Sequence, residues 1–365
     1  MSTSRTPLWR RTKPAWSTPC STRSRASSAP TSSRVASAKP ASGEDALIAR
    51  YFRPLATDPG AFHLDDDAAA LKPDGNDVVV TVDAIVEGVH FLPDDPPDTV
   101  ARKALRVNLS DLAAKGATPA GFVLALALRS PDDAWLKPFA AALGEDAAQF
   151  GCPLLGGDTV STPGPMMISV TAFGRVPPGK MVHRSGAKAG ERVMVTGTVG
   201  DAALGLAILR GGKVHAAASD KAARETLIGR YRVPQPRVAM AEIVRDYASA
   251  AMDLSDGLAG DLAKLCGVSG VSAVIDLESI PLSDAARDLV SRGVVGQETL
   301  IAGGDDYEIL CTIAEDRVEA FVQAARRAGI TVSSIGTVVA GGAVPKFIDG
   351  QGREIVLERL SYSHF

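Results

Sequence analysis

The chain has 365 residues, of which 45% are hydrophobic and 22% are charged, a composition typical of a globular protein long enough for two domains. Its mean hydropathy is +0.08, and no apolar run approaches the roughly 18 residues of a transmembrane helix, which excludes a membrane protein. The four cysteines form no Cys-x-x-Cys pair, which excludes a zinc ribbon and a disulfide framework and favours a reducing cytoplasm.

Charge is distributed unevenly along the chain. The net charge is −3, but residues 1–40 hold eight basic residues and no acidic one, which leaves 31 basic against 42 acidic residues in the remainder. An acidic body argues against nucleic acid as the main ligand, because binding to a phosphate backbone requires a basic surface. We expect such a protein to bind phosphate compounds through metal ions.

The first 42 residues differ in composition from the rest. They are rich in Ser, Thr, Arg, Pro and Ala and have no apolar periodicity, so we expect a disordered basic tail. Three interpretations stay open: an organellar transit peptide, a basic arm for an acidic partner, and a start site assigned too far upstream.

The pattern of the N-terminal half predicts helices and strands in mixed order, beginning with a short helix over residues 44–52. Strands are predicted over 77–82, 122–128 and 166–175, and helices over 99–116 and 132–150. The breaking sequence Val-Pro-Pro-Gly at 176–179 and a following loop predict a domain boundary near residue 185. The expected domains therefore cover residues 43–184 and 185–365.

The C-terminal half has the same mixed character. Strands are predicted over 192–196, 273–277, 307–313 and 333–339, and helices over 201–209, 238–248, 257–266 and 321–328, with a partly helical stretch over 213–231. Strands and helices do not alternate strictly, so the sequence favours an α+β fold over a doubly wound sheet.

Aspartates in six short clusters are the candidate functional residues. Asp83 follows a predicted strand, and Asn108 and Asp111 share one face of a predicted helix. The other clusters are at 65–67, 156–159, 253–257 and 303–306, each expected at a turn or at the end of an element. One such cluster alone is typical of a turn or a helix cap. Six in one acidic chain favour an oxygen-rich site for Mg²⁺, the cation that accompanies polyphosphates.

Common nucleotide-binding motifs are absent from the sequence. There is no Walker loop, no Gly-x-Gly-x-x-Gly fingerprint and no histidine pair at metal-ligand spacing. A nucleotide would therefore be bound through carboxylate-held Mg²⁺ and backbone amides. The run Gly-Thr-Val-Gly at 197–200 fits such an amide site and fits a plain turn equally well. Among the histidines, His90 is the candidate, because it lies in a loop beyond the strand that precedes Asp83.

Several ordered motifs resemble the thiamine-monophosphate kinase family, within the aminoimidazole-ribonucleotide-synthetase-like superfamily. The resemblance spans essentially residues 43–365. It rests on Glu-Gly-Val-His-Phe-Leu-Pro at 87–93, the helix sequence at 103–116, Leu-Gly-Gly-Asp-Thr at 155–159, Asp-Leu-Ser-Asp-Gly-Leu at 253–258, Gly-Gly-Asp-Asp-Tyr-Glu at 303–308 and Ser-Tyr-Ser-His-Phe at 361–365.

The resemblance implies a two-domain α+β fold of the aminoimidazole ribonucleotide synthetase type, with the N-terminal sheet forming a homodimer interface. It implies Mg²⁺-dependent, in-line transfer of a phosphoryl group from ATP to thiamine monophosphate, using several Mg²⁺ ions. The implied metal ligands are Asp66, Thr81, the carbonyl of Val82, Asp83, Asp111, Asp158, Asp253 and Asp256, with Asp111, Asp158 and Asp256 as the catalytic residues. The implied ATP contacts are Gly157, Asp158, Arg184 and Ser255, and the implied substrate contacts are His90, Asp305 and Tyr362.

The chain departs from the family pattern at two positions. Asp65 stands where the family usually has glycine, which changes the turn or adds a charge beside Asp66. Val82 stands where the family often has threonine, a change that a carbonyl ligand tolerates.

Two other functions stay open at this point. A different ATP-using synthetase of the superfamily is disfavoured because its selenophosphate branch is expected to carry a reactive cysteine near the N-terminus, and Cys20 lies in the predicted tail. A catalytically silent nucleotide-binding regulator is disfavoured because it has no use for so many metal carboxylates.

Overall fold

The structure, a computed structural model, describes residues 46–66, 68–357 and 359–361. The predicted tail over residues 1–42, the first residues of the helix predicted over 44–52, and the candidate residue Tyr362 lie outside this range. The described chain begins with short helical turns, namely a π-helix over Ile48–Phe52 and 3₁₀ turns over Arg53–Leu55 and Pro59–Leu64. No helix in the described part is long and apolar enough to cross a membrane.

The N-terminal half is a four-stranded sheet covered on one face by two helices. Its elements are β1 (Asp77–Val86), α1 (Pro97–Ala114), β2 (Thr118–Leu128), α2 (Asp133–Gln149), β3 (Leu154–Ser161) and β4 (Met167–Val176). The strand order is β1-β4-β2-β3, with β4 antiparallel to both neighbours and β3 parallel to β2. The start of α2 agrees with the sequence, because the Asp132 carboxylate caps it by accepting from the Ala134 N–H.

The two faces of this sheet differ in burial. On β1, Val79 and Ile85 are buried against α1, whereas Val78, Val80 and Val82 point to the other face and are 51%, 57% and 61% exposed. Alternate residues of a strand point to opposite faces, so Thr81 and Asp83 lie on the helix-covered inner face and Val82 on the exposed outer face.

The C-terminal half is a seven-stranded sheet with helices packed around it. Its strands are β5 (Arg192–Thr196), β6 (Ala248–Asp253), β7 (Val271–Asp276), β8 (Ile309–Ile313), β9 (Val332–Ala340), β10 (Lys346–Ile348) and β11 (Glu354–Ile355), in the order β11-β10-β7-β9-β5-β8-β6. Its helices are α3 (Asp201–Arg210), α4 (Lys213–Ala217), α5 (Lys221–Arg232), α6 (Ala241–Tyr247), α7 (Leu258–Ser269), α8 (Asp284–Ser291), α9 (Gln297–Ile301) and α10 (Val318–Arg327). All strand pairs except β7 with β10 are antiparallel, which confirms the α+β prediction.

Helix α1 is buried between the two halves and therefore organises the site. One side packs on the inner face of the N-terminal sheet, and polar groups on other sides reach the C-terminal half. Arg106 donates to the Pro234 carbonyl, Ser110 to the Tyr307 carbonyl and Lys115 to the Ala251 carbonyl. A helix buried on most sides must pair its polar groups, and α1 does so by bridging the two halves.

Two predictions about elements were wrong. The run at 156–159 is not a turn but part of β3, and Asp83 lies inside β1, which continues to Val86. In both cases sheet pairing overrode the local turn signal. The helix predicted over 238–248 is confirmed as a 3₁₀ turn over Val238–Met240 that continues into α6, and it ends one residue early because Ala248 begins β6. The boundary near residue 185 stays a prediction.

Candidate active site

A cavity of about 960 Å³ opens where the two halves meet. Its polar lining includes Asp83, Ser255, Asp256 and Asp305. Its apolar lining comes from α3 and from residues 355–357, and includes Ala202, Ala203, Leu206 and Leu357. The cavity therefore combines carboxylates with apolar surface that suits a ring system.

The carboxylates of the N-terminal half are held between β1 and α1. The Asp111 side chain accepts a hydrogen bond from the Thr81 hydroxyl at 2.5 Å, and the Asn108 side-chain oxygen accepts from the Asp83 N–H at 3.1 Å. The predicted common face of Asn108 and Asp111 is confirmed, because both side chains meet β1. Burial, and then the negative charges of Asp111 and Asp256, raise the pKa of Asp83 to about 6.

The carboxylates of the C-terminal half come from the connection between β6 and α7. Asp253 ends β6 and is buried, and burial followed by the charge of Asp111 raises its pKa well above the usual value. Asp256 accepts from the Lys264 ammonium at 2.5 Å, and Lys264 also donates to Asp261 at 2.9 Å. Sequence analysis missed Lys264, although its position three residues after Asp261 in one helix is a signal for such a pair.

Two tightly packed loops bring these groups to the cavity. The Asp305 N–H donates to the Ser255 carbonyl and the Tyr307 N–H to the Leu254 carbonyl, each at 2.8 Å. A side chain at Gly304 would lie 2.5 Å from the Ser255 carbonyl oxygen, so this close approach requires glycine. The Gly-Gly-Asp run at 303–305 therefore supplies the glycine that the contact between the two loops requires.

The four carboxylates of Asp83, Asp111, Asp253 and Asp256 are an all-oxygen donor set, which suits a hard cation such as Mg²⁺. They are close enough that each of Asp83 and Asp253 responds to the charge of Asp111. Within the described ranges, no three Asp, Glu, His or Cys side chains converge tightly enough to form a ready-made cation site. Asp111 is paired with Thr81 and Asp256 with Lys264, so cation binding requires these side chains to rearrange.

The structure does not bring Asp158 together with this cluster within one chain. Asp83 pairs with Val170, which lies opposite Leu124, which in turn lies opposite Gly157, so Asp83 and Gly157 share one row of the sheet. They are three strands apart, about 14 Å. Asp158 is one residue further along and is exposed on the outer face, on the same face as Val82.

The remaining ATP and metal candidates lie at the edge of the cluster or outside it. Arg184 is exposed. The pKa of Lys115 is lowered mainly by burial and then by the positive charge of Arg184, while the charges of Asp253 and Asp111 act in the opposite direction. Asp66 lies on an exposed turn and is not among the residues that line the cavity. The neighbouring Asp65 forms an ion pair with Arg53 at 2.5 Å.

The substrate candidates His90 and Asp305 both line the cavity. The His90 ring is oriented because its Nδ1 accepts a hydrogen bond from the Val86 N–H at 3.0 Å. Lys103 of α1 lies between them and donates both to the His90 carbonyl and to the Asp305 carboxylate at 2.8 Å. Sequence analysis assigned Lys103 no role, and no local spacing signals a pair whose members are 202 residues apart.

Comparisons with known proteins agree with this architecture. The family model for the AIR synthase related protein, N-terminal domain, matches residues 65–176, and the model for its C-terminal domain matches residues 188–346. A thiamine-monophosphate kinase of Caulobacter vibrioides is 45% identical over 324 residues, which cover 87% of this chain and 89% of the relative.

Solved structures of similar proteins have the same fold. Thiamine-monophosphate kinase from Stenotrophomonas maltophilia K279a is 36% identical, with a TM-score of 0.75 over 86% of this chain and 98% of that one. The protein AaThiL, solved in complex with AMPPCP and TMP, is 29% identical, with a TM-score of 0.70 over 82% of this chain and 91% of that one. With both domain models matched in order and similarity along most of the sequence, the chain belongs to the thiamine-monophosphate kinase family.

Proposed function

We propose that this protein transfers the γ-phosphoryl group of ATP to the phosphate of thiamine monophosphate, forming thiamine diphosphate and ADP. The observation that carries the proposal is the cavity, which joins carboxylates from both halves to an apolar pocket of a size suited to a small ring system. The relative solved with AMPPCP and TMP supports this choice over other ATP-using synthetases.

The reaction needs positioning more than acid–base catalysis. The acceptor is a phosphate oxygen that is already ionised near neutral pH, so no general base is required. The obstacle is repulsion between two anionic phosphates that must approach in line. Bound Mg²⁺ supplies the neutralising charge, and the exposed guanidinium of Arg184 lies near the same cluster to add to it.

We infer that Thr81, Asp83, Asp111, Asp253 and Asp256 hold the Mg²⁺ ions, with Ser255 beside the nucleotide. Support comes from the mutual electrostatic effect of these carboxylates, which are costly to keep charged together without a cation. Asp305 and His90, which also line the cavity, would orient the thiamine moiety. Asp66 and Tyr362 stay candidate ligands on the strength of the family resemblance alone.

A homodimer through the outer face of the N-terminal sheet forms part of the proposal. That face exposes the valines Val78, Val80 and Val82 on β1, Met167 on β4 and Val160 on β3. Exposed apolar surface of this extent is typical of an interface. Asp158 and Gly157 lie on β3 of the same sheet, with Asp158 on the outer face, so we propose that Asp158 acts on the site of the partner subunit.

The direct test is a reaction of purified protein with ATP, Mg²⁺ and thiamine monophosphate, followed by chromatography. We expect thiamine diphosphate and ADP in equal amounts, and no product with EDTA. Asp111→Asn, which keeps the size of the side chain and its hydrogen bond to Thr81, should lower the rate by about 100-fold or more because it removes a charge that the cation needs.

Other results of this assay would distinguish the two alternative functions. ADP without thiamine diphosphate would indicate a different acceptor and return attention to the other synthetases. Nucleotide binding without any turnover would indicate a non-catalytic regulator.

A further inference from the structure

Lys103 is a buried cation behind the cavity wall, where it contacts two residues that line the cavity, His90 and Asp305. It lies on α1, and its side chain is 2% exposed. Its ammonium group donates to the His90 carbonyl oxygen and to Asp305 Oδ2, both at 2.8 Å, and lies 4.0 Å from the ring centroid of Tyr231. The carboxylate and ring come from the C-terminal half, and the carbonyl comes from the loop after β1.

The burial of Lys103 makes these contacts obligatory. An ammonium group removed from water is strongly disfavoured unless its donors are paired. Here two donors meet oxygen atoms, and the charge also faces an aromatic ring, which is a favourable cation–π arrangement. The loop carrying His90 and the loop carrying Asp305 are therefore both held by one group.

Other contacts stiffen the same arrangement without replacing Lys103. The Tyr231 hydroxyl donates to the His90 carbonyl at 3.4 Å, and Arg232 forms an ion pair with Asp95 at 2.6 Å, further along the His90 loop. On the opposite side, the Tyr307 hydroxyl donates to Asp305 Oδ1 at 3.3 Å. Asp305 and Tyr307 have φ angles of 71° and 51°, a strained left-handed backbone that persists only where surrounding contacts hold it.

We propose that Lys103 is the positioning residue of the thiamine subsite. It fixes the positions of His90 and Asp305 relative to each other. It also pairs with the charge of Asp305, so that this carboxylate meets the cationic substrate as an oriented acceptor and not as an unpaired anion. The inference rests on the proposed function, because it concerns the two residues that we propose to orient thiamine monophosphate.

The test compares Lys103→Met with Arg102→Met. Met has the length of the lysine stem without its charge. Arg102 is the neighbouring α1 cation, and it pairs with Glu145 and Asp146 on α2, neither of which lines the cavity. We expect Lys103→Met to raise the KM for thiamine monophosphate and to weaken its binding by about tenfold or more, with the KM for ATP changed by less than about threefold. Arg102→Met should leave both KM values unchanged.

Calorimetry with thiamine monophosphate and with AMPPCP, each alone, separates positioning from general destabilisation. Selective loss of thiamine monophosphate binding supports the proposal. Equal loss of both ligands, or no loss of either, overturns it. If Lys103→Met does not fold, Lys103→Arg decides, because it keeps the buried charge but changes its length. It should raise the KM for thiamine monophosphate selectively, and unchanged constants would overturn the proposal. If wild-type protein neither binds nor phosphorylates thiamine monophosphate, the proposed function itself fails.

Discussion

At the scale of single residues, the site is defined by carboxylates whose ionisation depends on one another. Asp83 is half-buried and Asp253 is buried, and burial together with the charge of Asp111 raises the pKa of both. A carboxylate with a raised pKa in the folded state binds protons more tightly when folded than when unfolded. Its charged form therefore destabilises the fold, and the penalty appears as pH rises.

Because ionisation of these carboxylates destabilises the fold, the free energy of unfolding of the metal-free protein should depend on pH. The pKa of Asp83 is about 6 in the fold against 3.8 unfolded, so the free energy of unfolding should fall between about pH 4 and pH 6 and level off above pH 7. The expected loss is on the order of 2 to 3 kcal/mol from Asp83. Denaturant titrations of wild type and Asp83→Asn across this range, with EDTA, measure it. The free energy of unfolding of the variant should fall less than that of wild type as pH rises. An equal fall in both proteins would contradict the prediction.

At the scale of elements, β3 explains a glycine that the family resemblance assigns to ATP. A Cβ at Gly157 would lie 2.0 Å from the Leu124 carbonyl oxygen of the neighbouring strand β2. Backbone oxygen cannot move away without breaking the strand pairing. Gly156 is different, because the nearest atom to its Cβ would be a Val123 methyl carbon at 3.9 Å, an ordinary contact.

The two glycines therefore form a matched pair of variants. Gly157→Ala should lower the free energy of unfolding by about 2 kcal/mol or more, since the strands must separate to admit the methyl group. Gly156→Ala should change it by less than about 1 kcal/mol. Thermal unfolding of both without ligand gives the answer. A stable Gly157→Ala that loses only ATP affinity would assign this glycine to the nucleotide and not to the sheet.

At the scale of the whole molecule, the orientation of Asp158 is the reason for proposing a dimer in which it acts on the partner subunit. Asp83 and Asp111 lie on the inner face of the N-terminal sheet, whereas Asp158 lies on the outer, apolar face. A two-fold dimer through that face would bring Asp158 against the partner subunit.

Mixing two inactive variants tests this arrangement. Asp111→Asn and Asp158→Asn, refolded or co-expressed together, form heterodimers in which one of the two sites has both aspartates if Asp158 acts across the interface. With random assortment, activity should return to about a quarter of the wild-type value. No recovery from a mixture of confirmed heterodimers would show that Asp158 acts within its own chain.

Local sequence signals determined a large part of the fold. Apolar spacing predicted α1 over 99–116 against the observed Pro97–Ala114, and Asp132 marked the start of α2. The three-residue spacing of Asn108 and Asp111 correctly predicted that both face the same neighbour. These features depend on residues within one or two turns of each other, so they can be derived without knowledge of the rest of the chain.

How the candidate residues combine depends on tertiary contacts that no local pattern predicts. The face on which Asp158 lies depends on the register of three strand pairs, and a shift of one residue in any of them would reverse it. The pairing of Lys103 with Asp305 spans 202 residues and arises because α1 is buried between the two halves. Local periodicity was enough to predict most of the helices and strands and the residue types that we propose for the site. Which groups meet was decided by packing and strand register, because these join segments that no local pattern relates.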